Sequence, residues 1–400
     1  MFRELARTQA GMAARFSSEI TAGTFPQASL LVGSRYSGRM TAALEIARVL
    51  SCRAEGEKGN ERCRCSSCQA FRPLENTNLI VISARDHQSV IETALSNYQR
   101  QRNEASRLFL LRSVRILLLQ YHGALMDQAA QKSQTSYDCA AQASELLLDL
   151  AAMNDDSPAT AVDKMVKNLR AVLKPLFVAS RKNTSISIAQ VRAIQEWIGL
   201  TAMDGAPRIV IIEALEQATE GARNSLLKML EEPPENVWYI LITENPGRIM
   251  QTILSRVRKY YIPVVSEEGR ARLLQDCFFA DSRQYDSLET YFLSSGGLDC
   301  QEALSLAHRF LDGVLGLVPY SHEDLAAFAT WVDESGQHAY VFRELLLCLE
   351  QEYLSGHIDA SKAKRFSGLV SGTLNRAASF NQNRKLSIEG LYYRLKENVQ

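Results

Sequence analysis

The sequence lacks an excess of charge of either sign. Its 400 residues carry 45 Lys and Arg against 45 Asp and Glu, which gives a formal net charge of zero. No overall basic field therefore indicates nucleic-acid binding, and any such contact has to come from a local patch or through a partner. Charge alone identifies no ligand.

Long hydrophobic runs are also missing. The longest apolar stretch, residues 108–121, is interrupted by Arg112 and Arg115, well short of the roughly 20 apolar residues that a membrane span needs. No basic-led apolar segment opens the chain, so we expect a soluble, cytoplasmic protein with no membrane contact. At this length the chain can form two or three domains, because single cores stop growing at roughly 250–300 residues.

The eight cysteines lack the even spread of a secreted disulfide scaffold. Four of them, Cys52, Cys63, Cys65 and Cys68, fall in one short segment. Four thiolates are the ligand set of a closed, structural zinc site with no open position for catalysis. We therefore predict zinc at these cysteines, with unliganded reduced thiols as the alternative.

A phosphate-binding loop lacks its two polar side chains. The apolar run 30–32 leads into Gly33-Ser34-Arg35-Tyr36-Ser37-Gly38-Arg39-Met40-Thr41. In a working loop, Lys follows the second glycine to reach the phosphates, and Ser or Thr comes next to hold magnesium. Here Arg39 and Met40 occupy those positions. Passive binding of a phosphate by the backbone N–H groups from Gly33 to Gly38 stays open, because it needs no side chain.

The second nucleotide-binding element lacks the glutamate that would act as general base. An active enzyme carries Asp and Glu after the central strand, and the Glu orients the attacking water. After the apolar run 209–212 this chain has Glu213 and Ala214. Glu213 can approach a metal ion, whereas Ala214 can neither accept a proton nor orient water. We expect that ATP bound here with Mg²⁺ is not hydrolysed.

The order of elements predicts an α/β fold. Apolar runs at 28–32, 79–82, 209–212 and 237–243 read as buried strands, and helical patterns separate them. Strands alternating with helices imply a parallel, doubly wound sheet. Residues 88–182 and the chain beyond Ser266 read as helical almost throughout.

Several stretches resemble one family in the same order along the chain. The segment Asn224–Pro234 resembles the LLKxLEEPP segment of bacterial AAA+ clamp-loader subunits. Upstream, 191–195 resembles the QVRELQ helix of that family. Downstream, 243–246 with Asn245 resembles its sensor-1 turn, and 254–257 resembles its Ser-Arg-Cys motif, with Val257 in place of the cysteine.

This resemblance implies a domain plan. Residues 1–265 would form an AAA+ P-loop domain that contains a zinc module at 52–68 and a helical insertion at about 88–182. Residues 266–312 would form a helical lid, and 313–400 an all-α collar that joins subunits. The simpler interpretation of the insertion is an accessory helical bundle, and the alternative is a docking surface. The implied nucleotide residues, in vestigial form, are Gly33, Gly38, Arg39, Thr41, Glu213 and Asn245.

The implied function is that of a non-catalytic subunit of the DNA polymerase III holoenzyme, within a clamp loader. Arg256 would be an arginine finger offered in trans to ATP on a neighbouring subunit. The partners would be other subunits of a hetero-oligomeric ring, the sliding clamp and primed DNA. Alternatives are an ATP-hydrolysing gamma/tau-type motor subunit, a diverged AAA+ DNA-remodelling ATPase, or a regulatory interaction protein outside replication.

Overall fold

The computed structural model of the chain describes residues 1–56, 58–60, 62–85, 87–125, 134–182, 185–200, 205–380 and 383–399. It divides into two units, Met1–Gly296 and Gly297–Gln400. The boundaries expected from the sequence, at 265 and 312, stay predictions.

A parallel β-sheet forms the centre of the first unit. Its five strands follow the order β2-β3-β4-β1-β5, and every neighbouring pair runs parallel. The inner strands are almost wholly buried, as expected for apolar runs covered on both faces. The strands are β1 (Ala28–Val32), β2 (Leu79–Ser83), β3 (Arg208–Glu213), β4 (Val237–Thr243) and β5 (Arg258–Tyr261).

Helices cover both faces of this sheet. Short 3₁₀ turns lie at Leu119–Tyr121, Gly123–Leu125, Leu215–Gln217, Pro246–Arg248 and Ser282–Gln284. The helices of the unit are α1 (Arg3–Ala6), α2 (Ala10–Thr21), α3 (Arg39–Leu50), α4 (Ser66–Phe71), α5 (Gln88–Gln101), α6 (Glu104–Leu118), α7 (Gln134–Ala152), α8 (Ala159–Lys182), α9 (Ile188–Gly199), α10 (Glu220–Glu231), α11 (Gln251–Leu254), α12 (Glu267–Asp276) and α13 (Leu288–Ser295).

Alternate residues of strands β1 to β4 enter different cores. Leu30 packs with Trp197 of α9 and Leu226 of α10, whereas its neighbour Leu31 packs with Phe16 of α2 and with α3. This follows from the two-residue repeat of a strand. The sheet is thus a middle layer between two helical layers, which confirms the predicted α/β class.

The insertion is helical, as predicted. Helices α5 to α8 share a core of their own that includes Leu95, Val114, Leu147 and Leu169. Residues 126–133, between α6 and α7, lie outside the described residues.

Two short helices follow the sheet and contact the phosphate loop. Phe278, after α12, packs with Tyr291 and Phe292 of α13, and Tyr36 of the loop lies against the same cluster. The start of the predicted lid therefore covers part of the loop.

The second unit is all-α. Its core includes Phe310, Phe328, Leu345, Phe366 and Leu391. None of the helices in the described part of the chain is long and apolar enough to cross a membrane. The helices are α14 (Cys300–Leu315), α15 (His322–Ser335), α16 (His338–Leu354), α17 (Ala360–Phe380) and α18 (Arg384–Glu397).

Candidate functional site

The two glycines of the phosphate loop are required by its geometry. A Cβ on Gly33 would lie 2.6 Å from the carbonyl oxygen of Ile262 and 2.8 Å from Oγ of Ser37. Gly38 has φ of +93° and directly precedes α3, a left-handed conformation that favours glycine. The frame of the loop is therefore intact and closely packed.

Arg39, at the lysine position, is neutralised by the chain itself. Its side chain is buried, and Nη2 lies 2.8 Å from Oε1 of Glu244. The two residues meet because Glu244 follows β4, which pairs with β1. Met40, in the first turn of α3, is buried in the core, and Thr41 is half-buried.

Tyr36 holds the loop against α13. The residue has φ of +59°, and its ring stacks on Phe292 with centroids 5.0 Å apart and planes 17° from parallel. Its hydroxyl is buried and has no hydrogen-bond partner among the described residues. Arg35 adds an ion pair with Glu289 at 3.8 Å. The loop and the helix that covers it are thus joined by packing and by charge.

Glu213, the remaining acid of the second nucleotide element, is also paired. It is buried at the end of β3, where Oε2 accepts a hydrogen bond from Oγ of Ser83 at 2.8 Å. Nη1 of Arg85 lies 3.2 Å from its Oε1. Ala214 has φ of +58°, which is unfavourable for a residue with a Cβ. A magnesium ion would have to compete with Arg85 for this carboxylate.

The turn after β4 contains the predicted Asn245 and a glutamate that contacts the phosphate loop. Asn245 is exposed, and its Oδ1 accepts from the backbone N–H of Gly247 at 3.1 Å, so it caps its own turn. Thr243 donates to Oε2 of Glu216 at 2.7 Å. Within this turn, Glu244 is the residue that pairs with Arg39.

Arg256 occupies a surface corner between α11 and β5. Nη1 donates to the carbonyl oxygen of Thr252 at 2.8 Å, and Nη2 lies 2.6 Å from Oε1 of Glu231 at the end of α10. The side chains of Arg256 and Glu231 are 33% and 49% exposed. An ion pair this exposed is worth at most about 1 kcal/mol, so its partner can be exchanged.

The four clustered cysteines form a compact set of donors. Their Sγ atoms all lie within 4.8 Å of one another, and Sγ of Cys52 is 3.7 Å from that of Cys63 and 3.9 Å from that of Cys65. A tetrahedral thiolate site with metal–sulfur bonds of about 2.3 Å has sulfur atoms about 3.8 Å apart. The cluster can therefore hold a metal ion.

Cys65 shows how the local fold favours a thiolate. It precedes α4, and its Sγ accepts from the backbone N–H of Cys68 at 3.4 Å. Burial raises the pKa of Cys65. The backbone N–H groups of Cys68 and Arg53 and the neighbouring thiols outweigh this effect and lower the pKa to about 6.

The sequence patterns missed three residues that pair with, or fix in place, the two nucleotide elements. Glu244, Arg85 and Tyr36 were not singled out, although each lies in or directly after a strand end or in the loop. The available signal was topological, because the carboxyl ends of parallel strands meet at one edge of the sheet. That signal needs the strand order, which the sequence alone does not give.

The sheet order, the loop between β1 and α3 and the arginine corner after β4 define a P-loop protein of the AAA+ type. A family model described as "DNA polymerase III, delta subunit" matches residues 8–132 and 112–266, together more than half of the chain. The chain therefore belongs to the DNA polymerase III delta-subunit family, a family of clamp-loader proteins.

Individual relatives match over shorter segments. The delta' subunit of DNA polymerase III from Bacillus subtilis is 44% identical over 72 residues, 18% of this chain and 22% of that protein. The delta' subunit from Buchnera aphidicola subsp. Schizaphis graminum is 35% identical over 99 residues, 25% of this chain and 30% of that protein. The delta' subunit from Escherichia coli is 36% identical over 87 residues, 22% of this chain and 26% of that protein. The matched segments thus span less than a third of each relative.

Among solved structures, a gamma-subunit-related protein from Thermotoga maritima matches 54% of this chain and 81% of its own chain, at 19% identity and a TM-score of 0.27. At that score the likeness carries no weight for function.

Proposed function

We propose that the chain is a delta'-like subunit of the DNA polymerase III clamp loader. In this role it joins other clamp-loader subunits in a cytoplasmic, hetero-oligomeric ring that places the sliding clamp on primed DNA. The observation that carries the proposal is the family match over residues 8–266, which contains both the phosphate loop and Arg256.

Within this proposal, the subunit does not hydrolyse ATP itself. Three contacts support this: Arg39 with Glu244, Arg85 with Glu213, and Tyr36 on Phe292. A bound triphosphate would have to compete with Glu244 for the guanidinium, and its metal ion with Arg85. Ala214 provides no base for an attacking water. Passive phosphate binding by the loop's backbone stays open.

The residue that acts on nucleotide is Arg256, and the nucleotide belongs to a neighbour. A guanidinium can stabilise the charge that develops on a γ-phosphate during transfer. Arg256 suits this role because it lies at the surface and its one carboxylate partner, Glu231, is itself half exposed. Glu231 would hold the side chain in place before assembly and release it to phosphate.

The proposed role is tested by reconstitution. Motor subunits, the remaining loader subunits, sliding clamp and primed DNA are assembled with and without this chain, and clamp loading is measured. We expect loading and ATP turnover to require the chain. A complex that forms and loads equally well without it would contradict the proposal. Turnover by the purified chain alone would instead establish a motor subunit or a DNA-remodelling ATPase.

We also propose that the cysteine cluster binds structural zinc through Cys52, Cys63, Cys65 and Cys68. When bound, zinc would supply a cross-link between the end of α3 and the start of α4. Zinc released from denatured protein should amount to one ion per chain, and Cys68→Ser should reduce it strongly. The matched control is Cys139→Ser, outside the cluster. Metal-free protein with four titratable thiols would contradict the proposal.

A further inference from the structure

Two arginines of the second unit share one buried hydroxyl. On α17, Thr373 is nearly inaccessible, and its Oγ1 donates to the carbonyl oxygen of Leu369 at 2.8 Å. The same oxygen accepts from Nη2 of Arg394 on α18 at 3.0 Å and from Nη2 of Arg376 at 3.3 Å. Two positive groups therefore converge on one neutral atom at the contact between the helices.

No described carboxylate compensates this pair. Nε of Arg394 donates to the carbonyl oxygen of Gly390 at 3.0 Å, and neither guanidinium forms an ion pair with a described residue. Burial, and then the like charge of Arg376, lowers the pKa of Arg394, although a guanidinium stays charged at neutral pH. Like charges that converge on one atom repel each other, and an anion bound between them would offset that repulsion.

Gly372 makes room for Arg376, the exposed arginine of the pair. A Cβ on Gly372 would lie 3.4 Å from Nη1 of Arg376, so the guanidinium lies against bare helix backbone. Arg376 is exposed to solvent, and among the described residues its guanidinium donates to Thr373 alone, which leaves its other N–H groups for a ligand.

Further cations continue along the same helix. Helix α17 contains Lys362, Lys364, Arg365 and Arg376 and no acidic residue, whereas the whole chain is neutral. Residues 362, 365 and 376 share one face at helical spacing. Lys362 donates to the carbonyl oxygen of Val399 at 2.7 Å and Arg365 to Oδ1 of Asn398 at 3.4 Å. Asp359, before the helix, is the acidic neighbour of these two.

We propose that Arg376 and Arg394 bind a phosphate group, and that this face of α17 and α18 binds the phosphate backbone of a nucleic acid. Guanidinium groups match phosphate oxygens in charge and geometry. A single carboxylate would account for the arginine pair but not for the row of cations, which suits a polymer of regularly spaced negative charges. Tyr393, beside Arg394 and 48% exposed, offers a ring on which a base can stack.

The proposal rests on residues of the second unit and not on the clamp-loader role. It is tested on the full chain without other loader subunits. Failure of the phosphate-binding proposal therefore does not imply failure of the clamp-loader proposal, and the reverse also holds. The probe is a short fluorescent single-stranded DNA, and its anisotropy is measured over a range of salt concentrations. We expect Arg376→Gln and Arg394→Gln each to weaken binding about tenfold at low salt and to reduce the slope of log affinity against log salt by about 0.7.

Lys364→Gln is the matched control, since it removes one charge from another face of the same helix and should change binding less than about threefold. Arg376→Lys keeps the charge, so it should keep the salt slope and lose only part of the affinity. Thermal unfolding of each variant shows that the helical unit still folds. Arginine variants that fold and bind like Lys364→Gln would overturn the proposal.

Two further outcomes distinguish other ligands. If inorganic phosphate raises the unfolding temperature of the wild type, but not of Arg394→Gln, and DNA does not bind, the phosphate site stands and nucleic acid as its source is overturned. If DNA binding is unchanged in the arginine variants while assembly with partner subunits is lost, the ligand is an acidic protein surface and the proposal fails.

Discussion

The phosphate loop and the Arg256 corner each contain an ion-paired arginine, but one arginine is buried and the other is exposed. In the loop, the buried Arg39 is paired inside the domain and Tyr36 is fixed under α13. In the corner, Arg256 lies at the surface, and its carboxylate partner Glu231 is exposed. The difference teaches that an arginine paired within its own domain and an arginine open to a partner can occur in one subunit. On our proposal, the subunit has closed its own nucleotide site and still presents Arg256 to a neighbour.

Arg256→Ala should produce the largest difference between the two regions. In the reconstituted complex, ATP turnover at the site that Arg256 serves should fall by about 10³-fold or more, the usual contribution of an arginine finger. Stability should change by less than about 1 kcal/mol, because the ion pair is exposed. Single-turnover hydrolysis and thermal unfolding check the two effects. The control is Arg272→Ala, another exposed, ion-paired arginine, and equal turnover in both variants would refute the finger.

Gly33→Ala should destabilise the fold by about 1–3 kcal/mol, because the new methyl group would overlap Ile262 and Ser37. Denaturant unfolding measures the change. Gly11→Ala, in the first turn of α2, is the control, since nothing lies within 4 Å of its Cβ and it should stabilise the protein by at most about 1 kcal/mol. A stable Gly33→Ala variant would show that the loop is less tightly packed than the structure indicates.

Arg39→Met should cost about 1 kcal/mol, because it leaves Glu244 half exposed and able to regain water. It should leave nucleotide affinity unchanged, since the guanidinium is already occupied. Isothermal titration with ATP checks the second point. A marked loss of nucleotide affinity would mean that Arg39 binds phosphate and that the comparison between the two regions is wrong.

Glu231→Gln should have the smallest effect. Stability should change by about 0.5 kcal/mol or less, and turnover in the complex should be retained or slightly increased, because Arg256 no longer has to leave a carboxylate. Loss of turnover comparable to that of Arg256→Ala would show that Glu231 positions the arginine for catalysis instead of merely holding it.

Much of the fold was predictable, because local patterns determine it. Strands β1 and β4 begin and end where the apolar runs do, and the insertion is helical as its periodicity indicates. The contacts that occupy the side chains of Arg39 and Glu213 were not predictable. Arg39 and Glu244 are 205 residues apart in the chain, and Ser83 and Glu213 are 130 apart. Such pairs depend on which strands are neighbours, a property of topology that no local pattern contains.

We propose that this chain keeps its phosphate loop for structure and does not use it for ATP hydrolysis. The most direct test measures ATP turnover by the purified chain alone with Mg²⁺, beside the variant Arg39→Met. We predict no turnover above that of buffer in either protein. Turnover by the wild type that disappears in Arg39→Met would contradict the account, because it would show a working site built on that arginine.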